Sequence, residues 1–194
     1  MGPETIFFLV VLIFSIILHE VSHGYMAEYF GDPTARLAGR LTLNPIPHID
    51  LVGSIILPVL LVVSGSGFVF GWAKPVPYNP YNLGGSRLKE GLVAGAGVLA
   101  NFALAILFGL LIRFGAGTLP ETFISLCSTI VYVNLLLGLF NLLPIPPLDG
   151  SKVLASLLPP GLFIKYRSFE ESMGSLGILL PLVVILLVSA LWPF

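Results

Sequence analysis

Two histidines and a glutamate fall within five residues, His19-Glu20-Val21-Ser22-His23, inside an otherwise apolar run. On a helix, His19 and His23 project from one face, one turn apart, as two ligands of a single metal ion must. Glu20 lies about 100° round from His19. That places its carboxylate beside such a metal rather than on it, within reach of an attacking water. The division of labour is that of a hydrolytic zinc site: two neutral imidazoles hold Zn2+, and the carboxylate takes a proton as water attacks a carbonyl. Ionisable side chains within a membrane span each cost roughly 2.5 kcal/mol or more in the charged form and mark functional sites. The competing reading is a polar cluster that only joins helices.

A catalytic zinc takes three protein ligands and keeps one position open. Candidates for the third are Asp149, His48 and Asp50, while Asp32 follows the histidines too closely and precedes Pro33. Asp149 stands out because Pro144, Pro146 and Pro147 break an apolar segment and a single carboxylate follows, in Leu148-Asp149-Gly150. Prolines remove backbone donors and block helix, so this stretch is extended near the membrane boundary. Such backbone is tolerated only where it lines a cavity or is buried in protein. The alternative for Asp149 is an N-cap for the segment that starts at Gly150.

The elements that must position these residues are membrane helices. Of 194 residues, 56% are apolar and 10% charged, with mean hydropathy +1.00. Soluble domains carry roughly 25% charged residues, so a water-soluble globule is excluded. Apolar stretches cover about 5–30, 51–70, 91–112, 123–143 and 176–192. All but the second read as simple spans of about 20 residues. The first lacks a basic start and a small-residue cleavage site, so it is expected to be a retained span rather than a signal peptide. Net charge is −1 and the nine Lys and Arg are scattered, which excludes a nucleic-acid partner. Cys127 is a lone buried or lipid-facing hydrophobe.

Lys and Arg in short loops stay cytoplasmic. If all five stretches cross, the cations divide three against six. If 51–70 dips in and returns, as Pro58 and Ser64-Gly65-Ser66-Gly67 permit, only Arg113 lies opposite the other eight. The second arrangement is preferred. It places the N- and C-termini outside and puts the histidine motif and Asp149 on the same cytoplasmic side.

Together, His19-Glu20-Val21-Ser22-His23 and the later Asn141 to Leu148-Asp149-Gly150 resemble the site-2 proteases, intramembrane zinc metalloproteases. The stretch Gly97 to Asn101 is similar to that family's small-residue segment ending in Asn. The resemblance runs from the first helix to about Gly150. It implies a three-helix core, one catalytic Zn2+ on His19, His23 and Asp149, and Glu20 as general base. Many members carry a PDZ or CBS domain and an extra helix before the motif. Neither is seen here, so the chain resembles a compact prokaryotic form, expected to be a single membrane protease domain over residues 1–194.

Other polar residues need partners in the bilayer. Asn134, Gly138 and Asn141 share one helix face, and Asn101 sits on the neighbouring helix. Asn141 and Asn101 are candidates to hold an unwound substrate backbone or the oxyanion, against plain interhelical hydrogen bonding. Gly91, Ala94, Gly95, Gly97 and Ala100 are read as close-packing residues. His48 is a candidate near the substrate entrance, with a surface role as the alternative. Asp50 is expected to cap the helix from Leu51, and Trp72, Tyr78 and Tyr81 to form an interfacial belt, with a lid over the site as the alternative. Alternation over 36–43 predicts a strand able to pair with an unwound substrate.

The expected protein is thus an all-α polytopic membrane protein with a three-helix zinc-protease core, a re-entrant hairpin, a C-terminal helix and a small β-sheet. It would cleave transmembrane or membrane-proximal peptide substrates in a prokaryotic cell membrane, from a cytoplasmic-side site. A metal-ion transporter and a non-catalytic scaffold that binds membrane helices are the alternatives from other classes. A prenyl-protein-type zinc hydrolase would instead draw its third ligand from Glu170 or Glu171.

Overall fold

The computed structural model describes residues 2–63 and 71–173. In chain order the α-helices are α1 (Pro3–Tyr29), α2 (Thr34–Leu37), α3 (Leu57–Val63), α4 (Arg87–Gly115), α5 (Glu121–Asn141), α6 (Asp149–Leu157) and α7 (Pro160–Met173). Among the described residues, α1, α4 and α5 are long and apolar enough to cross a membrane. The expected span over 176–192 lies outside the described residues.

Local chemistry sets the helix ends. Pro3 opens α1, where a missing N–H costs nothing, and Glu4 faces the positive end of the helix dipole. The helix closes as the Asp32 N–H bonds back to the Ala27 carbonyl at 2.9 Å. Pro144 prevents α5 from continuing. Lipid offers no hydrophobic drive between helices, so close contact and buried polar pairs must join them. Accordingly, α4 packs on α1, α5 and α6 through a face that includes buried Gly91, Ala94 and Gly97. Near the motif end of α1, Ala27, Leu83 and Val93 form an apolar core flanked by Met26, Phe30 and Tyr78.

Segment 51–63 is a π-helical turn, Leu51–Ile56, running into α3. Asp50 caps it as expected, accepting from Val52 N at 3.1 Å and Gly53 N at 2.7 Å. The chain comes back beside its starting point: Trp72 N–H donates to Gly53 O at 3.2 Å and Lys74 N–H to His48 O at 2.9 Å. Trp72 and Lys74 therefore lie beside Gly53 and His48, and the rest of the expected hairpin, residues 64–70, lies outside the described residues.

The expected small β-sheet is not found; no strand occurs among the described residues. Residues 36–43 alternate in polarity, but Asp32-Pro33-Thr34 starts a helical turn. Asp32 accepts from the Thr34 backbone N–H and hydroxyl, and the turn closes through Ala38 N to Thr34 O and Arg40 N to Ala35 O. A short alternation carries less weight than a helix start signal three residues upstream.

Asp32 also joins distant parts of the chain. Fully buried, it accepts from Asn79 N at 2.6 Å and Asn82 Nδ2 at 2.7 Å, fastening the end of α1 to the segment before α4. Burial alone would raise its pKa. The hydrogen bonds from Thr34, Asn82 and Asn79 outweigh that and hold it below the usual carboxylate value. Its contribution is therefore complete above the unfolded value of about 4 and is lost as pH falls through the lower native value. Asp32→Ala is expected to cost about 2–4 kcal/mol in detergent-solubilised unfolding at neutral pH, with a smaller deficit in acid.

Candidate metal centre

His19 and His23 lie on the buried face of α1, and Asp149 is the first residue of α6. Asp149 Oδ2 stands 2.9 Å from His19 Nε2 and 3.3 Å from His23 Nε2, and one ligand atom from each residue lies within 4.8 Å of the others. The proline-rich turn makes this possible. It folds α6 back onto the end of α5 so tightly that a Cβ on Gly150 would sit 2.1 Å from the Leu142 carbonyl oxygen.

The hydrogen-bonding character of the cluster is as telling as its size. His23 Nδ1 faces the Val93 carbonyl at 2.7 Å and His19 Nδ1 faces Asn101 Oδ1 at 2.6 Å. Both partners only accept, so each Nδ1 carries the hydrogen, and in the neutral rings that metal ligation requires each Nε2 presents a lone pair. These two lone pairs converge on a carboxylate oxygen that is itself buried with no hydrogen-bond donor. Three acceptors without a donor repel one another unless a cation lies among them. Tetrahedral zinc with ligands at about 2.0–2.1 Å separates neighbouring donor atoms by about 3.3 Å, so the residues present fit the ion.

Glu20 opens on a cavity of about 170 Å³ that is also lined by His19, His23, Val76, Tyr78, Asn141, Asp149 and Lys152. One carboxylate oxygen, Oε2, accepts from the Val76 backbone N–H at 2.8 Å. Val76 belongs to the segment 71–79, which has no regular secondary structure and crosses the site. Buried Arg40 anchors that segment by donating from Nη2 to the Lys74 carbonyl at 2.6 Å. The contact is made by backbone, so no side-chain motif announces it. The only available signal is Pro75-Val76-Pro77, which leaves Val76 as the lone N–H donor among the three. Lys152, with no motif of its own, follows Asp149 by three residues on α6 and so shares its face toward the cavity.

The remaining expected residues are distributed differently. Asn141 lines the cavity, its Nδ2 donating to Leu137 O at 3.0 Å. Asn101 is fully buried behind the His19 ring and does not line the cavity. His48 is buried away from the cluster, its Nε2 against the Thr42 carbonyl at 2.9 Å. Its own carbonyl holds Lys74, so it braces the crossing segment. Tyr78, expected in an aromatic belt, forms part of the cavity wall.

Helices suited to a bilayer, an H-E-x-x-H helix face and a distant carboxylate gathered at one point define a membrane metallopeptidase. Comparison with known proteins agrees. Residues 116–187 match Peptidase family M50. Over 197 aligned residues, covering 96% of this chain and 84% of the relative, the sequence is 40% identical to YwhC of Bacillus subtilis (strain 168), a protein named as a zinc metalloprotease. Rip2 of Mycolicibacterium smegmatis, named likewise, is 33% identical over 80% of this chain and 59% of its own length. MJ0611 of Methanocaldococcus jannaschii is 38% identical over 53% of this chain and 50% of its own. No solved structure matches. The chain belongs to peptidase family M50, the site-2 proteases: it is a zinc metalloprotease and an integral membrane protein.

Gly97 gives the sharpest test of the centre's packing. A Cβ there would lie 2.6 Å from His23 Nε2 and 2.7 Å from His19 Cε1, whereas one on Gly95 would meet only Val153 at 3.8 Å. Gly97→Ala is expected to lower zinc affinity about tenfold or more, as displaced ligands do, with Gly95→Ala near wild type. Competition with a chromogenic chelator reads both.

Proposed function

We propose that this protein hydrolyses peptide bonds within or next to transmembrane segments of other membrane proteins, with His19, His23 and Asp149 holding the zinc and Glu20 acting as general base. The observation that carries the reading is the meeting of three donor-free acceptor atoms beside a restrained glutamate in one small cavity. Zinc, when bound there, supplies Lewis acidity toward the scissile carbonyl and toward water. The chain's own groups do the rest. Val76 N–H holds Glu20 Oε2, which leaves the other oxygen free to take a proton from the attacking water. As the water oxygen bonds to the carbonyl carbon and the C–N bond breaks, that proton passes to the leaving amine. Asn141, on the cavity wall, is the group we assign to the substrate backbone or oxyanion.

The whole chain acts as one membrane protease domain in this reading. Eight of its nine cations lie toward the end of the spans that carries the site, with Arg113 at the far end of α4. The positive-inside rule then sets the site toward the cytoplasm of a prokaryotic cell. The return of Trp72 to Gly53 supports the re-entrant reading of segment 51–70, of which residues 51–63 are described. Ligands gathered at one point favour hydrolysis over transport, which needs sites spread along a path.

Glu20→Gln should stay folded and zinc-loaded while cleavage of a membrane-embedded substrate in proteoliposomes falls by about 10²–10⁴. Cleavage at the wild-type rate would exclude Glu20 as the base.

A further inference from the structure

Asn134 is fully buried on α5 and takes no part in the chemistry above. Its Nδ2 donates to the Ile130 carbonyl of its own helix at 2.9 Å and to Ser15 Oγ on α1 at 2.9 Å. A carbonyl only accepts, so this contact fixes which way the Asn134 amide faces, with Oδ1 turned toward α4. There Oδ1 accepts from Asn101 Nδ2 at 2.8 Å. Asn101 Nδ2 also points at the Ser15 carbonyl, at 3.5 Å. With the NH2 group so committed, Asn101 must turn its oxygen to His19 Nδ1.

We propose that Asn134 is a positioning residue that sets the tautomer of His19, by holding the Asn101 amide in the one orientation that keeps hydrogen on Nδ1 and the lone pair on Nε2. This rests on the reading of His19 as a zinc ligand. Without Asn134, the Asn101 amide can turn over and present NH2 to Nδ1. The imidazole hydrogen then moves to Nε2, where it points into the metal site and blocks ligation. His23 needs no such device, because its Nδ1 faces the backbone carbonyl of Val93, which cannot turn over. The polar line through α1, α4 and α5 thus carries orientation from a helix carbonyl to a metal ligand.

The test uses the full-length protein in detergent, with histidine 15N NMR of the zinc-free form to read the tautomer and a chelator competition to read zinc affinity. Asn134→Leu should shift His19 from Nδ1–H toward a mixture, leave His23 unchanged, and weaken zinc binding about 10–100-fold. Adding Asn101→Asp should restore both readouts, since an ionised carboxylate has no donor and cannot be turned the wrong way. If Asn134 served only in packing, the second change would rescue nothing. Should Asn134→Leu not fold, Asn134→Met removes the same acceptor with a more adaptable side chain. The proposal is overturned if His19 stays Nδ1–H with wild-type zinc affinity in the single variant, or if the double variant recovers neither. His19→Ala separates the two levels. Retention of zinc there defeats the ligand reading itself, whereas loss of zinc there with none in Asn134→Leu defeats only the tautomer relay.

Discussion

Three buried acceptor atoms with no donor among them are the constraint on which this structure depends. His19 Nε2, His23 Nε2 and Asp149 Oδ2 stand close together and largely buried, where charge is less screened than in water. Left to themselves they would separate. Zinc held as proposed would remove the conflict, and what the chain would then supply is a frame that keeps the three atoms together and the fourth position open. The helices, the proline-rich turn and the crossing segment 71–79 each meet a part of that demand.

The middle helix carries most of it. On α4, Gly97 leaves room for both imidazoles, the Val93 carbonyl orients one and Asn101 the other. Its small residues also let α1 and α6 approach from different sides. The crossing segment then holds Glu20 through one backbone N–H, walls the cavity with Tyr78, and is itself held by Arg40 and His48. The proposed ligands and the proposed base are thereby restrained by different partners.

What the sequence disclosed follows from the range of the physics involved. His19, Glu20 and His23 are legible because helix periodicity is local, and Asp149 because three prolines in a membrane segment have few other reasons to exist. From sequence, Gly97 reads as a packing residue. That it makes space for imidazoles depends on which face of α4 meets α1, and no local pattern encodes that. Asn101 was expected to touch substrate, but whether an amide points into a cavity or behind a ring is settled only by tertiary packing. The strand over 36–43 failed because alternation in a short stretch is weak evidence beside Asp32-Pro33-Thr34. In segment 71–79 the aromatic residues leave a belt and a lid both open, and the contact with Glu20 is hidden because it uses backbone and leaves no side-chain signature.

The proposed chemistry requires that the histidine pair and the distant aspartate share one ion. The most direct measurement is the zinc content of purified wild type and Asp149→Ala at equal free zinc, each shown to be folded. The structure predicts about one zinc per chain in the wild type, as a single catalytic site requires, and loss of most of it in the variant. Full retention of zinc at wild-type affinity by folded Asp149→Ala would contradict the claim.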